Sequence, residues 1–349
     1  MKKIIAILLT VTMLLTLFTA CGKSEDKTLT LYTWEAMFPQ EVLNDFTKET
    51  GIKINYTNFD FNETMLSKLE ASKGGDYDLV IADDYILETV IAEGLAQKLD
   101  KSKLSNIDNI NPIYKGLFFD RNDEYTVPYG AGVLALVYNP EKVDKKITSY
   151  KDLWDESLKG RIGIVGNYRV ITGITLKTMG KTLNETDPAV IEEAGKLLLE
   201  LAPNIRFIKD DGIQDDLVSG EVDVAVMYTS QVTQSKLAKP ELEMSFPSEG
   251  VGFGVMGEFI PVNAPHPEYA HEFINYLLRP EVAAKCYEHL GYYSVNSKAD
   301  ELIKDEYKDF LTLPSYIDTN TTETLENITP EAEEAHIKVW TEFKTACGM

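Results

Sequence analysis

Leu29-Thr30-Leu31-Tyr32-Thr33-Trp34 alternates apolar and polar residues, the period of a strand with one buried face. Pro39 then stands where a first helical turn begins, with Val42, Leu43 and Phe46 on one face and Gly51 as a stop. Lys53-Ile54-Asn55-Tyr56-Thr57 reads as a second strand. Asn62 is placed to cap a helix carrying Met65, Leu66 and Leu69, which ends at Gly74-Gly75. Tyr77-Asp78-Leu79-Val80-Ile81-Ala82 is a third strand, and Asp84 is placed to cap a helix bearing Ile86, Leu87, Val90 and Ile91 before Gly94. Strand and helix alternate three times in 29–94, the pattern of a parallel sheet covered by helices.

The same alternation resumes further along. Thr126-Val127-Pro128-Tyr129-Gly130-Ala131-Gly132 reads as a loop entering a long buried strand, Val133 to Tyr138. Arg161-Ile162-Gly163-Ile164-Val165 opens a second unit. Asp187-Pro188 starts a helix with Val190, Ile191, Ala194, Leu197, Leu198 and Leu201 on its apolar face, and Glu221 to Tyr228 forms another strand. Two late helical stretches, Tyr269–Leu278 and Val282–Leu290, flank Arg279-Pro280. At 349 residues the chain is long enough for roughly two domains, each with its own core. The fold class read from this pattern is α/β, built as two units.

The charge balance narrows the partners. Lys+Arg 34 against Asp+Glu 56 gives a net charge of −22, which argues against nucleic acid or an anionic membrane surface, since both demand clustered basic residues. The beginning of the chain has its own logic. Lys2-Lys3 precedes an almost wholly apolar run, Ile4 to Ala20, ending in Leu17-Phe18-Thr19-Ala20-Cys21-Gly22 and a polar stretch. A basic head, an apolar middle and a small-residue exit make an export signal. The cysteine directly after Ala20 resembles a bacterial lipobox, so residues 1–20 are expected to be a signal peptide. On that reading Cys21 is the lipidated first residue and 21–28 a linker. Cys286 and Cys347 share no metal or redox spacing and read as unlinked thiols.

Catalytic signals are sparse. His266, His271, His289 and His336 share no ligand spacing with a cysteine or carboxylate, so no metal site is expected. There is no nucleophile elbow, phosphate loop or dinucleotide fingerprint after a strand, and Gly130-Ala131-Gly132 reads as a tight turn. No enzyme activity and no cofactor are expected. Binding is better signalled, because ligands of open α/β sheets sit beyond the carboxyl ends of strands. Those ends carry Trp34-Glu35, Asp83-Asp84-Tyr85, Gly166-Asn167-Tyr168-Arg169 and Tyr228-Thr229-Ser230, which gathers aromatic and polar residues at four strand ends.

Longer runs point to a family. Trp34 with Pro39, Phe46 to Lys53, Asn62-Glu63-Thr64-Met65, Tyr77-Asp78-Leu79-Val80 and Leu99 to Leu104 resemble the bacterial spermidine/putrescine-binding proteins, the solute-binding subunits of ABC importers. So do Pro128-Tyr129-Gly130, Asp152-Leu153-Trp154, Gly220-Glu221-Val222, Ile274 to Ala283 and Gly291-Tyr292. The resemblance implies a two-lobed periplasmic binding protein fold of type II. Each lobe is a mainly parallel sheet flanked by helices, and two crossing strands near Leu134–Tyr138 and Gly254–Phe259 form the hinge. It divides the chain into residues 29–134 plus 257–303 for the first lobe and 135–256 plus 304–349 for the second. It also implies a monomer that binds a small-molecule amine, is tethered to the membrane through Cys21, and meets an ABC permease driven by its ATPase subunit. Acidic lobe faces would meet basic permease loops.

The site residues carry over unevenly. Trp34, Tyr85, Tyr228 and Tyr292 fall where such proteins place aromatics that hold methylenes and face ammonium groups. The family's carboxylates are replaced by Ala36, Asn167, Val170 and Met256, the neighbouring aromatics by Met37 and Gly254, while Glu35 and Asp83 stand at positions of hydroxyl residues and Glu326 near a family glutamine. Two ligand expectations follow. Either Glu35 and Asp83 take over ammonium recognition and a polyamine or smaller amine is bound, or Arg169, Asn167 and Tyr228 face the carboxylate or hydroxyls of a different polar solute.

Overall fold

The computed structural model describes residues 27–209, 212–311 and 322–349. The expected signal peptide 1–20, Cys21 and most of the linker 21–28 lie outside the described residues. Among the described residues no helix is long and apolar enough to cross a membrane.

The opening strand is β1 (Thr28–Thr33), paired in parallel with β2 (Lys53–Asn58) on one side and β3 (Leu79–Ala82) on the other. Alternation decides which way each side chain points. Leu29 and Leu31 of β1 and Leu79 and Ile81 of β3 enter one core, while Tyr32, Val80 and Ala82 enter a second on the opposite face. The first core is roofed by α1 (Gln40–Thr50) through Val42, Leu43 and Phe46, the second by α2 (Asn62–Ser72) through Met65 and Leu69. Gly51 stops α1 in the left-handed region at φ 75°, its N–H bonded to the Thr47 carbonyl. A third helix, α3 (Asp84–Ala92), adds Ile86, Leu87 and Val90 to the second core.

Two capping expectations are corrected. Asn62 is the first residue of α2 rather than its cap, because its amide is used on a neighbouring carboxylate. Asp83, not Asp84, occupies the cap position of α3. Asp84 turns inward because the buried N–H of Val255 needs an acceptor.

The long strand β4 (Thr126–Tyr138) joins the lobes. From Thr126 to Val133 it pairs antiparallel with β9 (Phe253–Phe259), and from Leu134 to Tyr138 with β7 (Val224–Tyr228). β9 in turn lies antiparallel to β3. The partner change between Val133 and Leu134 marks where the chain passes from one lobe to the other. The expected loop at Thr126–Gly132 is therefore strand throughout. Its glycines serve close approach rather than a turn. A Cβ at Gly132 would lie 2.8 Å from Cδ1 of Tyr292, and one at Gly130 would lie 3.0 Å from Cε of Met256.

In the second lobe β5 (Ile162–Ile164) sits between β6 (Ile205–Ile208) and β7, parallel to both, and β8 (Glu243–Ser245) pairs with β4 on its other edge. This sheet is covered by α4 (Tyr168–Thr178), α5 (Pro188–Leu201), α6 (Ile213–Ser219), α7 (Thr229–Ala238) and, later, the closing helix α11 (Pro330–Ala346). Gly195 lets α5 and α11 touch, since a Cβ there would come within 2.5 Å of Val339 Cγ2. The first lobe is completed by α8 (Pro267–Leu277) and α9 (Pro280–Leu290). The stretch after 303 does not go wholly to the second lobe. In α10 (Asp305–Leu311), Leu311 is buried in the first-lobe core and its carbonyl accepts the N–H of Ser294. Cys286 is buried in the first core and Cys347 flanks the second; both are free thiols, as their spacing suggested.

Candidate functional site

The first-lobe wall grows from the end of β3. Asp83 follows the last strand residue and stays half-buried, with no backbone cap bond from its side chain. Asn62 Nδ2 donates to Asp83 Oδ2 at 2.9 Å and to the Tyr85 hydroxyl at 3.1 Å, and that hydroxyl donates to Glu63 Oε1 at 3.0 Å. Asp84 accepts the N–H groups of Tyr85 at 2.9 Å and of Val255 at 3.1 Å, which places a buried acid against the second crossing strand. Burial pushes the Asp83 carboxyl up to about 6, with Asn62 opposing and Glu63 adding to the rise. Burial, followed by the charge of Asp83, holds Asp84 well above the usual carboxylate range. Neither forms an ion pair with a described residue, nor does Glu63. Three carboxyl groups are thus tied to one tyrosine with no cation between them among the described residues.

The second-lobe wall is the first turn of α4. Asn167 caps it, its Oδ1 accepting the N–H of Val170 at 3.1 Å. Tyr168 donates its hydroxyl to Glu333 at the start of α11. Arg169 is buried. It donates from both terminal nitrogens to the Glu326 carbonyl at 3.3 Å and from Nη2 to Asn184 Oδ1 at 3.1 Å, while Nε has no partner. Asn184 also donates to the Thr324 carbonyl, and Glu323 accepts from Lys177, Thr182 and the Leu183 N–H. These bonds fix segment 322–327 over the wall. Its last residue, Asn327, reaches the first lobe, donating to Glu88 at 3.2 Å and to Thr89 at 3.1 Å. Behind Arg169 lies His336, fully buried, with neither ring nitrogen partnered. Burial and the guanidinium push it down to about 4.

Where the walls meet, Tyr85, Asn167, Tyr168, Arg169 and Leu325 line a small, partly open pocket. The junction of the lobes is nearby. The Tyr292 ring lies over Gly132, and Thr229 Oγ1 both accepts from and donates to the Val133 backbone, at 2.9 and 3.1 Å. Tyr228 pairs with Leu134 at the end of β7. Met256, where a carboxylate was expected of the family, is buried and lies against Gly130.

Of the residues singled out from sequence, Tyr85, Asn167 and Arg169 come together in the pocket, and Asp83 is one amide bridge from Tyr85. Trp34 is half-buried at the end of β1, its ring 4.9 Å from Phe59. Glu35 projects into solvent on the turn after β1, followed by Ala36 at φ 58°, and does not line the pocket. Glu326 contributes its backbone; its side chain is exposed. Asn62, Glu63 and Leu325 were not picked out as site residues, and Tyr168 only as one of the residues at a strand end. Asn62 and Glu63 stood in a matched run but read as a helix start, and no local signal in sequence brings 325 to 168.

A two-lobed α/β molecule with paired crossing strands and a polar cleft between strand ends is the architecture of a solute-binding protein. The comparisons make this specific. The profile described as bacterial extracellular solute-binding protein matches residues 41–314. The spermidine/putrescine-binding periplasmic protein of Salmonella typhimurium is 37% identical over 288 residues, covering 82% of this chain and 83% of that protein. A solved structure, a putative spermidine/putrescine ABC transporter from Listeria monocytogenes, superposes with a TM-score of 0.83 at 32% identity, covering 91% of this chain and 99% of the other. The spermidine/putrescine substrate-binding protein of Streptococcus pneumoniae gives a TM-score of 0.80 at 30% identity, over 92% and 99% of the two chains. The chain belongs to the bacterial extracellular solute-binding protein family.

Proposed function

We propose that this protein captures a small amine, either a polyamine such as its relatives are named for or a related amine, in the cleft between its lobes and delivers it to an ABC permease. The observation that carries this reading is the group of Glu63, Asp83 and Asp84 around Tyr85, acids that form no ion pair among the described residues. An ammonium brings the missing positive charge and donors, and the face of Tyr85 suits its methylenes. Asp83 then has the role expected of it, while Glu35 stays at the rim. Capture is stoichiometric. Closure must be driven by contacts made only in the closed state; the bonds from Asn327 to Glu88 and Thr89 join the two lobes and support such a closure. The lipobox reading supports work outside the cytoplasmic membrane with a tether through Cys21, and the family resemblance supports a monomer.

The test is thermal unfolding of the purified protein against putrescine, spermidine, amino acids, sugars and small carboxylates. A ligand at about 100 times its Kd adds about 2.7 kcal/mol of stability. A shift confined to amine-bearing compounds supports the reading. A response only to sugars or to carboxylates lacking an amine refutes it.

A further inference from the structure

The two walls of the pocket differ in charge, and the difference bears on both ends of the ligand. Resting on the reading that the cleft holds an amine, we propose that the ligand carries its ammonium at one end only and an anionic hydrogen-bond acceptor at the other. The ammonium lies against Asp83 and Glu63, and a carboxylate lies against Arg169 and Asn167. The class is an ω-amino acid rather than a diamine.

The second-lobe wall supports this in three ways. First, its lining residues Asn167, Tyr168, Arg169 and Leu325 include no carboxylate, and the acid behind them, Glu333, already accepts the Tyr168 hydroxyl. Second, Arg169 is 6% exposed, yet its hydrogen-bond partners are a backbone carbonyl and an amide oxygen, and its Nε is unpartnered. Among the described residues it makes no direct ion pair; Glu333 attracts it only from a distance, its carboxylate being engaged by Tyr168. A guanidinium is always charged, and a buried charge without a bonded counter-ion is costly, so an anion entering the pocket relieves it. Third, Asn167 spends its oxygen on capping the 11-residue helix α4, which leaves its NH₂ group as a donor beside the positive end of that helix. A second ammonium in this place would face a guanidinium, an amide donor and a helix N-terminus. On the first-lobe wall the situation is reversed. Asp83 and Glu63 are acceptors, and Tyr85, shared by both walls, gives its hydroxyl proton to Glu63.

The experiment is calorimetric titration of the full-length chain in detergent with paired probes of equal chain length. Putrescine is set against γ-aminobutyrate, with butyrate as the amine-free control, and the pairs are repeated over about three to six carbons. The expected result is tighter binding of the ω-amino acid than of its matched diamine by about tenfold or more, and no binding of butyrate. Asn167→Asp keeps the cap, since both residues cap well, and places an anion in the second wall. It should narrow or reverse the preference by about tenfold. If the diamines bind as tightly as the ω-amino acids to the parent protein, the two-ended assignment is overturned while the amine reading stands. If no amine-bearing probe binds but butyrate does, both fall.

Discussion

Gly132→Ala offers a direct test of how the floor of the cleft is built. Gly132 lies in the first half of β4 with ordinary extended backbone, so alanine is conformationally permitted and the effect is purely steric. The added Cβ would sit 2.8 Å from Cδ1 and 2.9 Å from Cε1 of Tyr292, and 3.4 Å from Thr229 Oγ1. Carbon atoms are comfortable at about 3.5–4.0 Å, so the ring must retreat by about an ångström. It cannot retreat freely, because its chain neighbours Gly291 and Tyr293 are held to Thr233 and Ala131. Overpacking of this kind costs about 1–3 kcal/mol. For a lobe of this size each kcal/mol lowers Tm by about 2–4 °C, so a fall of several degrees is expected. Scanning calorimetry measures it. The double-mutant cycle with Tyr292→Ala locates it, because in that background the same alanine has nothing to strike and its cost should largely vanish. The variant should also bind its amine ligand more weakly, having lost the position of the floor ring. A Tm within about a degree of the parent, or a cost that persists without the Tyr292 ring, would show that the two residues do not meet as described.

Three further outcomes follow from buried titratable groups. Asp83 ionises near 3.9 when unfolded but near 6 when folded, so the unfolded chain loses its proton first and stability falls as pH rises from about 4 to about 6. Asp83→Asn should flatten that part of a urea-unfolding series. An amine ligand should expel a proton from Asp83 when it binds near pH 6, which calorimetry in buffers of different ionisation enthalpy will reveal. His336 has the opposite sign. Its folded value near 4 lies below the ordinary 6.5, so the unfolded chain takes up the proton first and stability is lost as pH falls through that interval. His336→Leu should remove this loss, and an unchanged acid limb would count against a neutral, buried ring. Glu258, 1% exposed with Oε1 unpartnered, is kept protonated by burial in the first-lobe core. Glu258→Met should raise stability at pH 7 by about 1–3 kcal/mol, seen as a higher urea midpoint at constant slope. A drop of similar size would mean that the carboxyl has a partner.

Local periodicity carried much of the architecture. β1, β2 and β3 and their helices were legible because each has one apolar face or one dominant period, and Gly51 is a stop wherever a helix meets it. The strand ends also gathered Tyr85, Asn167 and Arg169, which fold side by side in one pocket, because an α/β sheet brings the carboxyl ends of its strands to a common edge. Thr126–Gly132 was misread because glycine there answers a long-range need: room for Tyr292 and Met256, residues distant in the sequence. The caps at Asn62 and Asp84 failed for the same reason, each side chain being drawn to a partner that only folding supplies.

The sequence by itself determined the repeated strand–helix order, the acidic balance and the kinship. These are properties of composition, period and motif, readable without knowing which residues touch. Tertiary structure alone decided that Glu63 joins Asp83 through Tyr85 and Asn62, that Glu35 stays in solvent, and that segment 322–327 ties Arg169 to a backbone carbonyl instead of an acid. Those outcomes depend on contacts between residues as far apart as 169 and 326. Hydrogen bonding and burial at such separations are set by packing, which leaves no periodic trace in the chain.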